Sequence, residues 1–261
     1  MRYRLVCLDA GFTLLTPRRT LADALAGVLE ERGHPVDRED LHKAWEAADR
    51  WFWDEYHRPR NDTWADDAAI DRTWREYHAV MLRELGFADA QHDLLEAILA
   101  GQYAADAWET YPDVEPALVA LRRMPGLTTC VISDWGSNLE AIVAGLGLDR
   151  YLDFTLASGA VGFAKPDPAL FRVALERAGV EPSEAVMVGD SLRADVEGAR
   201  AAGMEGILLA RPAEAADGHA PGPPDVPPDT RVISTLAELP DIVAGTKGPH
   251  QDHRQAARRM A

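Results

Sequence analysis

The sequence predicts an α/β protein, a doubly wound parallel sheet with a block of helices inserted near its start. Three observations carry this reading. Short apolar runs end abruptly in Asp, Ser or Gly. Capped helical stretches alternate with those runs through the second half of the chain. Between about residues 20 and 107 the pattern is helical throughout, so the alternation is interrupted by something other than sheet.

Leu5-Val6-Cys7-Leu8 is an apolar run closed by Asp9 and the turn Ala10-Gly11-Phe12-Thr13, as expected of a buried parallel strand. Thr20 and Asp23 open a helix in capping-box style, and Gly33 ends it. Asp37 and Asp40 open a second, running through Trp45 towards Tyr56, with a break at Pro59-Arg60-Asn61-Asp62. A third helix is expected from Trp64 to Leu85, stopping at Gly86, and a fourth from Ala90 to Tyr103. The tryptophans of this block (Trp45, Trp51, Trp53, Trp64, Trp74) are expected to staple its core.

At Tyr111 the strand–helix rhythm resumes. Pro112-Asp113 should cap a helix to Leu121, Leu127–Ile132 should be a strand, and Ser137 with Glu140 should cap the next helix. Phe154–Leu156, Ala185–Val188 and Ile207–Leu209 read as further strands. Helices are expected from Pro168 to Ala178, with Asp167 as cap, and from Leu192 to Ala202. Pro212 to Asp229 reads as an irregular loop. A last strand at Arg231–Ile233 and a last helix at Leu236–Val243 follow. The expected organisation is a Rossmann-like core from residues 1–15 and 108–244, a helical cap from 16–107, and a disordered tail at 245–261.

The net charge of −16 argues against binding a nucleic-acid backbone or an anionic membrane surface. Both cysteines, Cys7 and Cys130, fall inside strand runs, so they are expected reduced and packed. Met1-Arg2-Tyr3-Arg4 leads straight into the first strand, and no apolar run approaches membrane-spanning length. A cytoplasmic protein, monomer or homodimer, with a small-molecule substrate is expected.

Ligands of open α/β sheets bind beyond the carboxyl ends of the strands. Four such ends carry polar groups: Asp9; Ser133-Asp134; Lys165, in Gly162-Phe163-Ala164-Lys165-Pro166-Asp167-Pro168; and Gly189-Asp190-Ser191 with Asp195. Lysine is scarce (Lys43, Lys165 and Lys247 are the three), which singles out Lys165. A carboxylate can attack phosphorus, a lysine can meet phosphate oxygens as a point charge, and a carboxylate pair suits Mg²⁺. A small phosphorylated metabolite fits this set.

The chain resembles the haloacid dehalogenase-like (HAD) hydrolase superfamily, in the subclass with a helical cap between the first and second motifs. The resemblance spans roughly residues 3 to 243. It rests on Ser158-Gly159-x-x-Gly162-x-x-Lys165-Pro166-Asp167-Pro168-x-x-Phe171 and on Val188-Gly189-Asp190-Ser191-x-x-x-Asp195-x-x-Gly198-Ala199-x-x-Ala202-Gly203-Met204. It implies Asp9 as nucleophile and Ser133 as a phosphoryl ligand, beside Asp134 and with Thr13 at the motif's threonine position. It implies Lys165 as the charge that steadies the phosphoryl group and orients Asp9. It implies a Mg²⁺ site from Asp9, the Gly11 carbonyl and Asp190, with Asp195 supporting the metal's water shell.

One position departs from the family pattern. Its phosphatases usually carry a second aspartate two residues past the nucleophile, as general acid and base. Here that residue is Gly11. Asp134, a cap residue or the substrate would have to stand in, or the leaving group would have to be a good one. Relatives that cleave other bonds also lack this aspartate. A phosphonatase would need a cap lysine, of which Lys43 is the single example, and its surroundings do not match. A dehalogenase would not need Asp190. A non-catalytic binder of phosphorylated ligands is the alternative of another class.

Overall fold

The computed structural model describes residues 2–56, 63–87, 91–212 and 226–246. The expected break at 59–62, most of the 212–229 loop and nearly all of the tail lie outside them.

Strand β1 (Leu5–Leu8) lies in the middle of a six-stranded sheet. The other strands are β4 (Thr128–Ser133), β5 (Phe154–Ala157), β6 (Ala185–Gly189), β7 (Glu205–Leu209) and β8 (Arg231–Ile233). The order is β5-β4-β1-β6-β7-β8, and every neighbouring pair is parallel. The chain builds outward from β1 to β5, then crosses back to β6 on the other side. That reversal places the carboxyl ends of β4, β1 and β6 around one crevice. Register brings them level, because Leu8 pairs with both Val131 and Val188.

Both faces of the sheet are covered. Val6, Leu8, Val131, Val186, Val188 and Ile207 pack on one side with α5 (Val114–Arg122), α6 (Leu139–Gly145) and α10 (Leu239–Ala244). Leu5, Cys7, Cys130, Ile132 and Met187 pack on the other with α8 (Pro168–Ala178) and α9 (Gly198–Ala201). Strict alternation thus sends adjacent apolar residues to opposite cores, which is why these strands read as unbroken apolar runs. Each fully buried Val, Leu or Ile contributes about 1.5–3 kcal/mol. Cys7 and Cys130 are free, buried neighbours with sulfurs 3.5 Å apart.

Among the described residues, four helices lie between β1 and α5: α1 (Leu21–Glu31), α2 (Arg38–Tyr56), α3 (Asp67–Glu84) and α4 (Gln91–Tyr103). The Thr20 hydroxyl accepts the Asp23 N–H, as its spacing predicts. Helix α3 starts three residues later than expected because Asp66 caps it, accepting from the Ala69 N–H, after a 3₁₀ turn at Thr63–Ala65. Leu25, Leu29, Ala44, Ala48, Tyr77, Met81 and Leu82 form this block's own buried core. Trp45, Trp51 and Trp74 pack against it.

The connections in and out of the helices form a ribbon absent from the sequence reading: β2 (Leu15–Pro17) pairs antiparallel with β3 (Trp108–Thr110). The block also touches the sheet end directly. Asp67, at the start of α3, accepts the Ser137 N–H at 2.9 Å. Gly159 is close beneath it, since a Cβ there would lie 2.3 Å from Asp67 Oδ1.

Three local expectations are corrected. Asp113 precedes α5 but makes no side-chain cap. Ser137 does not cap α6, which begins after Asn138. The stretch expected as one helix from Leu192 opens as a π-helical turn, Leu192–Glu197, before α9.

Candidate active site

Asp9 follows β1 directly, and its N–H donates to the Val188 carbonyl at 3.0 Å, tying it to β6. The turn beyond it is tight. The N–H groups of Leu14 and Leu15 both return to the Ala10 carbonyl, and Phe12 N–H donates to the Leu15 carbonyl. Phe12 is held at φ 54°, a left-handed conformation that bulky residues rarely adopt, and its ring is exposed. Thr13 is buried and donates to Asp190 Oδ1 at 3.3 Å.

Lys165 sits at the centre. Its Nζ lies 2.6 Å from Asp9 Oδ1 and 2.7 Å from Asp195 Oδ1, and all three side chains are buried. The Lys165 main-chain N–H donates to Asp134 Oδ1 at 2.8 Å, which fixes the loop carrying the lysine. Asp195 rises from the π-helical turn, and its Oδ2 accepts the Ser191 N–H at 2.9 Å. It packs onto Gly189 so closely that a Cβ there would lie 2.1 Å from Asp195 Oδ2. Ser133 is buried at the end of β4. Carboxylate oxygens of Asp9, Asp190 and Asp195 lie within 4.8 Å of one another.

This is a negative cluster held by one cation. Burial alone would lower the Lys165 ammonium, but Asp195, Asp9 and Asp134 outweigh it and hold its pKa well above the usual value. Burial pushes Asp195 up to about 6, against the pull of Lys165. Burial likewise pushes Asp134 up to about 7. Asp190, at the solvent-exposed rim of the cluster, is raised above the carboxylate range by desolvation first and then by the charges of Asp9 and Asp195. Four carboxylates facing one lysine repel one another, which adds to the rise in their pKa values and which a further cation would relieve. The donors are all oxygen, the set that hard divalent cations take. Asp195 is engaged at both oxygens, whereas Lys165 takes one oxygen of Asp9 and Thr13 one of Asp190. Asp9 and Asp190 are therefore the carboxylates suited to direct ligation, and Asp195 to orienting Lys165.

The structure brings Asp9, Gly11, Thr13, Ser133, Asp134, Lys165, Asp190 and Asp195 to one sheet edge. The arginines and tryptophans in and just after α2 are placed as follows. Arg50 is exposed and pairs with Glu46, Trp51 packs into the cap core, Trp53 is exposed, and Arg58 and Arg60 lie outside the described residues. Lys43 is exposed on α2, paired with Glu39 and Asp40.

Two residues were missed. Arg211, just past β7, makes a two-pronged pair with Asp113 (3.1 Å on each arm), donates to the Thr13 carbonyl at 2.7 Å and stacks on Tyr111. Asp113 also accepts from Thr235 and from the Leu236 N–H. This network ties the turn after Asp9 to the far half of the sheet. The rule that strand ends carry function, applied to β7, would have found Arg211. The other residue is Trp135, whose ring stands against Gly11 with Cζ3 3.5 Å from where a Cβ would be. No sequence signal marked it.

Residues 3–203 match the family model described as haloacid dehalogenase-like hydrolase. The human haloacid dehalogenase-like hydrolase domain-containing protein 3 is 32% identical over 244 residues, covering 92% of this chain and 93% of its own. A phosphoserine phosphatase of Thermus thermophilus is 35% identical over 195 residues, covering 73% of this chain and 71% of its own. Among solved structures, a 2-haloacid dehalogenase from Pseudomonas syringae superposes with a TM-score of 0.60 at 28% identity, covering 94% of this chain and all of that one. No described helix is long and apolar enough to cross a membrane. Matching the family model over most of its length, with Asp9, Lys165 and Asp195 gathered at one sheet edge, the chain belongs to the haloacid dehalogenase-like hydrolases.

Proposed function

We propose that this hydrolase is a Mg²⁺-dependent phosphatase of a small phosphorylated metabolite, working through an aspartyl-phosphate on Asp9. The observation that carries the reading is Lys165, held between Asp9 and Asp195 with Asp190 in the same cluster. A metal-free dehalogenation has no use for the clustered carboxylates. The similarity to a phosphoserine phosphatase supports the same direction.

The residues fit a Mg²⁺ ion. Asp9, Asp190 and the Gly11 carbonyl would hold it, with Asp195 behind them. When bound, it would supply positive charge to the phosphoryl oxygens and offset the excess of carboxylates. The chain's own groups do the rest. Lys165 directs one Asp9 oxygen and shares its charge with the incoming phosphoryl group, which Ser133 receives. The other Asp9 oxygen attacks phosphorus as the bond to the leaving oxygen breaks. Water then attacks phosphorus, the Asp9–phosphorus bond breaks, and the carboxylate is restored with release of inorganic phosphate. The cap helices, seated on the sheet end through Asp67, limit the access of bulk water to the first step.

The test is release of inorganic phosphate from a panel of phosphate esters, with and without Mg²⁺. Asp9→Asn should lower it by about 10⁴-fold or more, the scale seen when a nucleophile is removed. Asp190→Ala should abolish the dependence on Mg²⁺. Phosphate release unaltered in Asp9→Asn would overturn the reading.

A further inference from the structure

Gly11 lies two residues beyond the nucleophile, in the same turn, and brings no side chain to it. The space a side chain would enter is bordered by the carbon edge of Trp135, with Cζ3 3.5 Å from a Cβ built on Gly11. That indole is fixed. The Trp135 main-chain N–H donates to Ser158 Oγ at 3.0 Å, its main-chain carbonyl accepts the Gly159 N–H at 3.0 Å, and its ring meets Trp108 edge to face with centroids 4.7 Å apart. Beside Gly11, Phe12 has a left-handed backbone and an exposed ring.

Several groups around Asp9 are already engaged. Lys165 is shared between two carboxylates, Thr13 donates to Asp190, and Asp134 uses one oxygen to hold the Lys165 main chain. Gly11 offers no proton donor of its own, and the place its side chain would take is bordered by an indole edge.

We propose that the site selects aryl phosphates, with Trp135 as the specificity-determining residue. The proposal rests on the phosphatase reading. Asp9 forms its bond to phosphorus while the bond to the aryl oxygen breaks, and the electron pair leaves on that oxygen as a phenolate, which takes its proton from water after release. A phenolic oxygen has a pKa of about 10, whereas an alkoxide resembles hydroxide, whose parent water ionises near about 15.7. Only the first leaves readily unprotonated. The aromatic ring that makes it a good leaving group also packs well against indole and phenyl edges. The missing side chain at Gly11 and the ring that borders its place thus favour the same substrates.

The test compares kcat/KM of the full chain, with Mg²⁺, for substituted phenyl phosphates and simple alkyl phosphates. This ratio reports the step in which the leaving group departs. We expect values to rise steadily as the phenol becomes more acidic, and alkyl esters to fall below by about 10²–10⁴-fold, the contribution a proton donor would otherwise make. Trp135→Leu should raise KM for phenyl phosphates by about tenfold, and Trp135→Phe should largely keep the preference. Inhibition by inorganic phosphate, read alongside, reports whether the phosphoryl pocket has survived the substitution. Equal kcat/KM for aryl and alkyl esters would overturn the proposal while leaving the phosphatase reading standing. A preference untouched in Trp135→Leu would remove Trp135 from it. Absence of phosphate release from every ester would overturn the phosphatase reading, and the proposal with it.

Discussion

The sheet edge and the helical cap solve opposite problems. At the sheet edge, buried charges are packed where hydrophobic residues would be more stable, and they are held by specific partners. Lys165 meets two carboxylates, Asp134 meets the lysine's main chain, and Gly189 makes room for Asp195. In the cap, the largest buried groups are apolar or aromatic. Phe52 stacks on Trp74 with centroids 5.7 Å apart and meets Tyr77 edge-on, while Met81 and Leu82 close the floor. The first region depends on identity at each position, because a buried charge that loses its partner is costly. The second depends on volume and tolerates exchange among apolar residues. Precision is thus concentrated at the strand ends, and the cap is freer to vary.

The contrast can be broken most sharply at Gly189. Gly189→Ala would put a Cβ 2.1 Å from Asp195 Oδ2, forcing that side chain away and releasing Lys165 from one of its two partners. Phosphate release should fall by about 10²-fold or more, with a loss of about 1–3 kcal/mol in stability from overpacking. Steady-state kinetics and denaturant melts would check the two numbers. In the cap the balance should invert. Leu82 is fully buried, so Leu82→Ala should cost about 2–5 kcal/mol in a melt while kcat well below the melting temperature stays close to that of the parent.

His78 sharpens the comparison through pH. It is buried in α3, its Nε2 paired with Gln102 Oε1 at 2.7 Å and its Nδ1 without a partner. Burial pushes its pKa down to about 4, with Gln102 opposing. The folded cap therefore binds this proton more weakly than the unfolded chain, whose His titrates near about 6.5. Stability from this group is complete above that value, declines as pH falls towards 4, and levels off below. The loss amounts to about 3 kcal/mol. Melts of the parent and of His78→Gln across this window would show it, since the variant should lose that part of the slope.

Much of this was legible in the sequence, for a physical reason. A doubly covered parallel strand is an uninterrupted apolar run, so its end is conspicuous, and Asp9, Ser133 and Asp190 stand at such ends. Lys165 was visible through scarcity. Less legible was whatever depends on a partner far along the chain. The β2–β3 ribbon has three residues on each side, too few for a period. Asp113 looked like a helix cap, but Arg211, Thr235 and the Leu236 N–H claim its carboxylate. Ser137 looked like a cap, and instead its N–H meets Asp67 across the seam with the cap. The π-helical turn at Leu192–Glu197 carries an ordinary helical pattern; its Asp195 is set by Gly189 and Lys165, not by local propensity. Trp135 gave no sign, because an aromatic after a strand is more often core than site.

The central claim is that Asp9 carries the phosphoryl group. The most direct measurement is a rapid acid quench of the full chain during turnover of an aryl phosphate with Mg²⁺, followed by peptide mapping by mass spectrometry. The account predicts a phosphoryl group on the peptide containing Asp9, absent in Asp9→Asn and absent when Mg²⁺ is withheld. Phosphate release proceeding with that peptide unmodified, or with the phosphoryl group on another residue, would contradict it.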